Sequence, residues 1–485
     1  MTFFNNLMHN SMKNKHFIYS ALCALMLSST MFVSCDKDDD KKSEEKTTDD
    51  IINQIPAVDG NKQLTPDEQK SYLDQVGKAF MTEFQSTNFD NFIDLVNYAY
   101  EKYGEDYDWD NVESWADDAY DALIKTEKGK TLVDEDEWEN ESYDSKTDEY
   151  KTVIYRYLDY EDITEVIYTA SEFKGHFVAE NGKWTQTAAD DLQFSFSDQN
   201  GKPCVLSVTT SGKTVNAFFG DDNKGYDWTR KENEDGSLTS ESTEEIEKQI
   251  VAVPEHITVT LTQDGKEVIK SEINTDLSVA SSTEYDFSKD KFNVTTTTTI
   301  DGYTFEVSKA SFSNQDKKAE STFKLKKGDV KLLEYSIKAN GEITNDDGDY
   351  DVNTLDTEIS IDILGKVQIK GTSKDGGKLM DLLDEAEENQ DNETVYKEKI
   401  AAANALINYG MYFDGGDTKQ LEVVMEPFEE ETWGGKTYWD YDLLIQFADG
   451  TKNAFDDFFI KANFYNVNNL WDDMSDDYEN KIKVD

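Results

Sequence analysis

The sequence predicts an α+β fold: an N-terminal helical section, then a long-stranded antiparallel sheet, a curved open sheet or partial barrel, with an inserted αα-hairpin. Three observations carry this expectation. Apolar residues recur at helical spacing between residues 65 and 125. From about Lys151 the period changes to two, and glycine turn dipeptides separate the runs. Helical spacing then returns between Lys378 and Tyr409 before strand patterns resume. With only five prolines in 485 residues, long strands can run uninterrupted.

The organisation follows in order. Residues 1–35 read as a signal peptide, with Met12 as the better start because Lys13 and Lys15 then form its charged leader. Residues 36–62, rich in Asp, Lys, Glu and Thr, read as an acidic flexible tether. The helical section spans 63–145. Its first helix opens on Thr65-Pro66-Asp67-Glu68, a cap followed by a first-turn proline and a glutamate three positions on. Tyr72, Leu73, Val76, Phe80 and Phe84 give that helix one apolar face, and Phe89, Phe92, Ile93, Val96 and Tyr100 do the same for a second over 88–103. A third runs over roughly 112–125. Residues 146–375 form the β-meander, with turns expected at Asn181-Gly182, Asn200-Gly201, Ser211-Gly212, Asp264-Gly265, Asp301-Gly302 and Asn340-Gly341. Long hairpins over 291–311 and 319–344 are expected to keep one face polar. Residues 376–410 form the helical hairpin, its second arm reaching Tyr409 and stopping at Gly410. Residues 411–485 supply further strands, at 420–425, 438–447 and 454–464, and a short helix packed on the sheet.

Charge excludes one class of partner. The formal charge is −54, and removing residues 1–35, which hold two lysines and no acid, leaves −56. Nucleic-acid binding is disfavoured, since it rests on cations neutralising phosphates and Arg156 and Arg230 are the only arginines. The chain still has the apolar and aromatic content for a core, at 37% and 12%.

Cys35 is the residue whose chemistry is most specific. It follows the apolar run Phe17–Val33 and the small Ser34, and it precedes Asp36-Lys37-Asp38-Asp39-Asp40. This is the arrangement of a lipidation site, in which the cysteine becomes the acylated, palmitate-bearing first residue. Cys23 is a poorer candidate because Leu22 is not small and cleavage there would halve the apolar segment. Cys204 is then the only remaining thiol, so no internal disulfide forms, and its setting in Pro203-Cys204-Val205-Leu206 reads as a small buried hydrophobe.

Cys35-Asp36-Lys37-Asp38-Asp39 resembles the export signals of Bacteroidota surface lipoproteins. The resemblance covers the first forty or so residues and implies anchoring in the outer membrane with display at the cell surface. The order of sheet and helices also loosely resembles the half-barrel lipoprotein carriers, whose curved sheet holds a lipid under helical lids; no motif matches.

Catalytic motifs are absent from the sequence: there is no G-x-S-x-G, H-E-x-x-H, G-x-G-x-x-G or G-x-x-x-x-G-K-[ST]. Beyond the leader only His176 and His256 are available for imidazole chemistry. The sequence therefore favours a non-catalytic protein that binds an extracellular ligand or partner. The alternative is a carbohydrate-active protein, either glycan-binding or a carboxylate-pair glycosidase. Calcium is the one metal expectation. Asp106, Asp108 and Asp110 alternate ahead of the third helix, with Asn111 where a calcium loop needs a left-handed residue and Asp117 at the twelfth position. Asp347-Gly348-Asp349-Tyr350-Asp351, with Glu358 at its twelfth position, is a weaker candidate of the same kind. Trp433, Tyr438, Trp439 and Tyr441 beside Gly434-Gly435 form an aromatic cluster that could stack on sugars, although strand alternation turns Trp439 and Tyr441 toward the core.

Overall fold

The computed structural model describes residues 48–482 apart from 105–106, 171–172, 285–288, 314, 347–348 and 432–435. The chain opens with helices α1 (Thr48–Asn53), α2 (Pro66–Thr82), α3 (Asp90–Tyr103) and α4 (Asp110–Leu123), with a 3-10 turn at Ser86–Phe89. Strands β1 (Ile124–Asp144), β2 (Glu149–Thr169), β3 (Gly175–Glu180), β4 (Lys183–Thr187), β5 (Leu192–Ser197), β6 (Pro203–Glu232) and β7 (Leu238–Gln263) follow. The meander continues through β8 (Lys266–Ser278), β9 (Lys291–Ile300), β10 (Tyr303–Ser313), β11 (Lys318–Lys327), β12 (Val330–Asp346), β13 (Asp349–Ile363) and β14 (Val367–Ser373). Helices α5 (Gly376–Glu387) and α6 (Glu393–Asn404) precede β15 (Ile407–Phe413), β16 (Leu421–Glu431), β17 (Thr437–Phe447) and β18 (Lys452–Ala454). The short α7 (Phe455–Phe458) and α8 (Tyr465–Lys481) end the described chain.

One open, predominantly antiparallel sheet holds all of these strands. From β7 to β18 each strand pairs with the next in sequence. On the other side of β7 lies β6, followed by β5, β3 and β4, with β5 and β3 parallel. The sheet also branches. Only the last part of β7, His256–Gln263, pairs with β8; its first part, Leu238–Ala252, pairs in parallel with β2, which carries β1 on its outer side. The order β1-β2-β7-β6 makes a four-stranded arm that leaves the body.

Three large apolar clusters anchor this sheet, and a small fourth one of Ile167, Ile250 and Ala252 lies where β2 meets β7. The largest gathers at one end of the strands, where Tyr303, Leu325, Leu332, Leu364, Val367, Phe413, Leu421 and Phe447 flank successive turns beneath α2 and α8. Thr65 starts α2 with the reciprocal cap seen in the sequence: its hydroxyl accepts from Glu68 N–H at 3.4 Å, and Glu68 accepts from Thr65 N–H at 2.8 Å. Asp74, buried in the middle of α2, accepts from the N–H groups of Asn466 at 3.1 Å and Val467 at 3.3 Å, so α2 caps the start of α8. Asp74→Ala is expected to cost about 1–2 kcal/mol, read as a lower denaturant midpoint; a change within about 0.5 kcal/mol, the scatter of ordinary surface substitutions, would sink this role. The second cluster packs α3 and α4 onto β3–β9 through Trp109, Trp115, Phe177, Trp184 and Phe194. The third places α5 and α6 over β15–β17.

Between these clusters the sheet is a single layer. Mid-strand residues of β9, β10 and β11 are half-buried whichever face they occupy, so both faces are wet, where the sequence suggested only one. The reason is composition: 295–299 is five threonines, and Lys and Glu alternate across β10–β13. Cross-strand pairs such as Lys326–Glu306 and Lys331–Asp362, each 2.7 Å, replace a second layer, and each adds at most about 1 kcal/mol. Ser271 and Thr298 hydroxyls meet at 2.9 Å across β8 and β9.

Several local expectations change. Residues 124–144, assigned by sequence to the helical section, form β1. Within the expected tether, 48–53 are helical and Ile55 is buried. Ser211-Gly212 is a bulge inside β6, and Asn340-Gly341 lies within β12; neither turns the chain. Tyr409 and Gly410 belong to β15, because the apolar spacing of α6 runs on without a helix stop. Residues 455–458 are helical rather than extended.

Candidate functional site

The arm is built from the longest strands of the chain: β6 has 30 residues and β7 has 26. Bulges between Ser211 and Thr214, Phe218 and Gly220, and Asn223 and Gly225 twist β6 without ending it. At its base the arm meets α4, where Tyr120 lies 6.0 Å from Tyr168; β1 is exposed along nearly its whole length. A large apolar or aromatic side chain on β1 is therefore held mainly by its strand neighbours.

Register places a row of such side chains on one face. Trp138 lies opposite Tyr155, and Tyr155 opposite Leu238. Asp136, Tyr157, Ser240 and Arg230 line up across all four strands, as do Asp134, Asp159, Ser242 and Trp228. Tyr226 follows two residues beyond Trp228. Because strand side chains alternate, these residues share a face. The rings of Trp138 and Tyr155 stack with centroids 5.6 Å apart at 8°, and the Arg230 guanidinium sits 5.9 Å from the Tyr155 centroid. Tyr157 Oη and Ser242 Oγ are 2.8 Å apart, and Ser242 Oγ donates to Asp159. Trp138, Trp228 and Tyr226 remain 45%, 53% and 62% exposed. The face thus combines flat rings, one cation and several hydroxyl and carboxylate acceptors.

The opposite face differs. There Arg156 pairs with Glu137 at 2.6 Å, beside a shallow depression of about 440 Å³ lined by Arg156, Lys231, Asn233, Thr239 and Glu241. Both arginines of the chain therefore sit at the arm, one on each face.

The residues singled out by sequence are dispersed. Cys35, Asp106, Asp347, Gly348 and Trp433-Gly434-Gly435 lie outside the described residues. Asp108 and Asp110 border the start of α4: Asp108 Oδ1 accepts Asp110 N–H at 3.0 Å, while its backbone bonds Gly182 and Trp184. Asn111 is helical, and its amide donates to Trp184 O at 2.7 Å, so it does not supply a left-handed turn. The alternate residues of this loop, Tyr107 and Trp109, are buried against Trp184, which makes the loop a docking point for β4. Among the described residues no group of three or more His, Cys, Asp or Glu side chains is placed to hold a metal. Glu358 pairs with Lys338 at 3.5 Å. Trp439 and Tyr441 pack under α5 and α6, with Lys397 Nζ 4.0 Å from the Trp439 ring. His176 Nε2 lies 2.8 Å from Ser195 Oγ, and His256 Nδ1 lies 2.7 Å from Asn274 Oδ1, on separate parts of the sheet. Cys204 is buried, and burial pushes its thiol up to about 11.

The aromatic row of the arm was not singled out by sequence. Its signal was isolated rings in acid-rich alternating segments, Trp138-Glu139-Asn140-Glu141 and Tyr226-Asp227-Trp228, where rings without apolar neighbours have no core to enter. Comparison of the chain with protein-family models, with curated proteins and with solved structures returns no match.

Proposed function

We propose that this chain is a non-catalytic binding protein, carried on the outer face of the outer membrane by a lipid at Cys35, and that it binds its ligand through the aromatic face of the arm. One observation carries the reading: Trp138, Tyr155, Trp228 and Tyr226 stand with Arg230 on one open sheet face, three of the rings about half exposed or more. Trp, Tyr and Arg are the residues that supply most binding energy at recognition surfaces, and leaving such rings in water without a partner is unfavourable.

The ligand class that fits is an uncharged polysaccharide. Flat rings stack on the apolar faces of pyranoses, and Asp134, Asp136, Asp159 and Ser240 offer hydrogen-bond partners for sugar hydroxyls on the same face, while the buried Ser242 holds Tyr157 and Asp159 in place beneath them. A formal charge of −54 opposes polyanions. The glycosidase reading has less support, because the face is open and does not enclose a facing pair of acids. Calcium at Asp106, Asp108 and Asp110 remains a separate proposal, tested by whether millimolar calcium raises the melting temperature over a magnesium control.

Binding to immobilised neutral polysaccharides tests the reading. Trp138→Ala and Trp228→Ala are each expected to weaken retention at least about tenfold, as loss of one stacking contact worth about 1.5 kcal/mol or more would do, with the melting temperature unchanged. Equal retention by wild type and the double variant would reject the site.

A further inference from the structure

A second exposed apolar patch lies at the end of the molecule remote from the arm tip. It follows β18, next to the 448–451 turn, which shares its end of the sheet with the turns at 264–265, 301–302 and 328–329. Phe455, Phe459 and Ile460 are 43%, 43% and 47% exposed. Their base is rigid: Phe458 is fully buried with its ring 4.9 Å from Phe459, and Phe459 stacks on Phe464 at 5.5 Å. Phe455 and Phe459 touch at 5.1 Å. Lys461 Nζ reaches Asp472 on α8 at 2.7 Å, which adds the exposed rings of Tyr465 and Trp471 to the same corner. Rings held outward on a fixed base are placed for contact, since each gains about 1.5–3 kcal/mol when fully buried.

The entry of the chain identifies what covers them. Ile51, Ile52 and Ile55 of the first described segment pack into the same apolar cluster as Phe458 and Phe464. Only residues 36–47 separate this segment from Cys35. Even fully extended, twelve residues reach about 40 Å. A lipid on Cys35 therefore keeps this end, and not the arm, close to the bilayer. Aromatic side chains favour the boundary between lipid and water, and a lipid anchor gains most from a second, weak contact with the same surface.

We infer that Phe455, Phe459 and Ile460 form a membrane foot, seated shallowly in the lipid surface to which Cys35 is attached. The inference rests on lipidation at Cys35 and on no property of the arm. Asp457, Asp472 and Asp473 beside the patch make the fitting surface zwitterionic rather than anionic.

The test uses the chain from residue 36 onward, which keeps every described element and carries no lipid. Co-sedimentation with phosphatidylcholine vesicles is expected, reduced at least tenfold by the triple substitution Phe455→Ser, Phe459→Ser and Ile460→Ser with an unchanged melting temperature. Equal sedimentation of wild type and variant overturns the foot, as does absence of any sedimentation. Dimerisation in solution that the same substitutions abolish also overturns it, because a second copy would then cover the patch. Palmitate labelling of the full chain against Cys35→Ser tests the anchor separately, so failure of the anchor and failure of the foot are distinguishable.

Discussion

Asp414→Ala is expected to release the N-terminal segment from the sheet and to lower stability by about 3 kcal/mol. Asp414 sits in the turn after β15 with a positive φ of 46°. Its carboxylate accepts from Val58 N–H at 2.9 Å, Tyr72 Oη at 3.0 Å and Lys366 Nζ at 2.7 Å, so it fastens the segment before α2, the helix itself and the β13–β14 turn. Both Asp414 and Lys366 are largely buried, and removing one partner leaves the other charge and two donors without an acceptor. Close approach makes the joint specific: a Cβ on Gly60 would run into the Phe413 carbonyl, and one on Gly416 into the backbone of Gly60. The same group gives a pH dependence. Burial alone would raise the Asp414 carboxyl, but Lys366, Val58 and Tyr72 outweigh it and hold it below the ordinary carboxylate range. Unfolded aspartate titrates near about 3.9. The contribution is therefore complete above about pH 5 and disappears as pH falls through the lower folded value. Denaturant midpoints at neutral pH and at low pH check both statements: wild type and variant should differ at neutral pH and converge in acid. A difference under about 1 kcal/mol at neutral pH would reject the clasp.

Phe177→Ala is expected to cost about 3–5 kcal/mol. Phe177 on β3 is fully buried, stacked on Phe194 at 5.0 Å and edge-on to Trp115 at 5.1 Å. It joins α4 to the short strands at the edge of the sheet. Thermal melting followed by near-ultraviolet circular dichroism would report the loss through the tryptophans around it. A variant that melts within a degree or two of wild type would show that the second cluster does not hold this edge.

Much of the fold was legible because local chemistry and tertiary packing agree. The reciprocal Thr65–Glu68 cap and the Asp264-Gly265 and Asp301-Gly302 turns appear where the residues place them. Asp301 shows how turn chemistry serves packing: its carboxylate accepts Phe92 N–H at the start of α3, and burial raises its carboxyl. Other features were hidden because their cause is not local. β1 has an acid-rich composition that favours neither helix nor strand, and it is extended because β2 pairs with it. Asn340-Gly341 reads as a turn, yet β11 and β13 bind that stretch on both sides and keep it in line. The branch at β7 has one sequence mark, Pro254, which lies between the part paired with β2 and the part paired with β8, but a proline in a strand shows an interrupted ladder and not which strand takes over. The candidate site was missed for the same reason: its rings come from three strands that only the register aligns.

The 26 residues of β7 span about 85 Å, from the tip of the arm to the end of the sheet where the chain enters. If the proposed lipid and ligand site are both in place, drag on a ligand at the tip would load the molecule along that strand. The hydrogen bonds joining β7 to β6 and β2 lie across the direction of pull, so they share the force in shear instead of opening one after another. The single-layer sheet would then act as a tension member as well as a platform, the length of its ladders adding to what the apolar clusters hold.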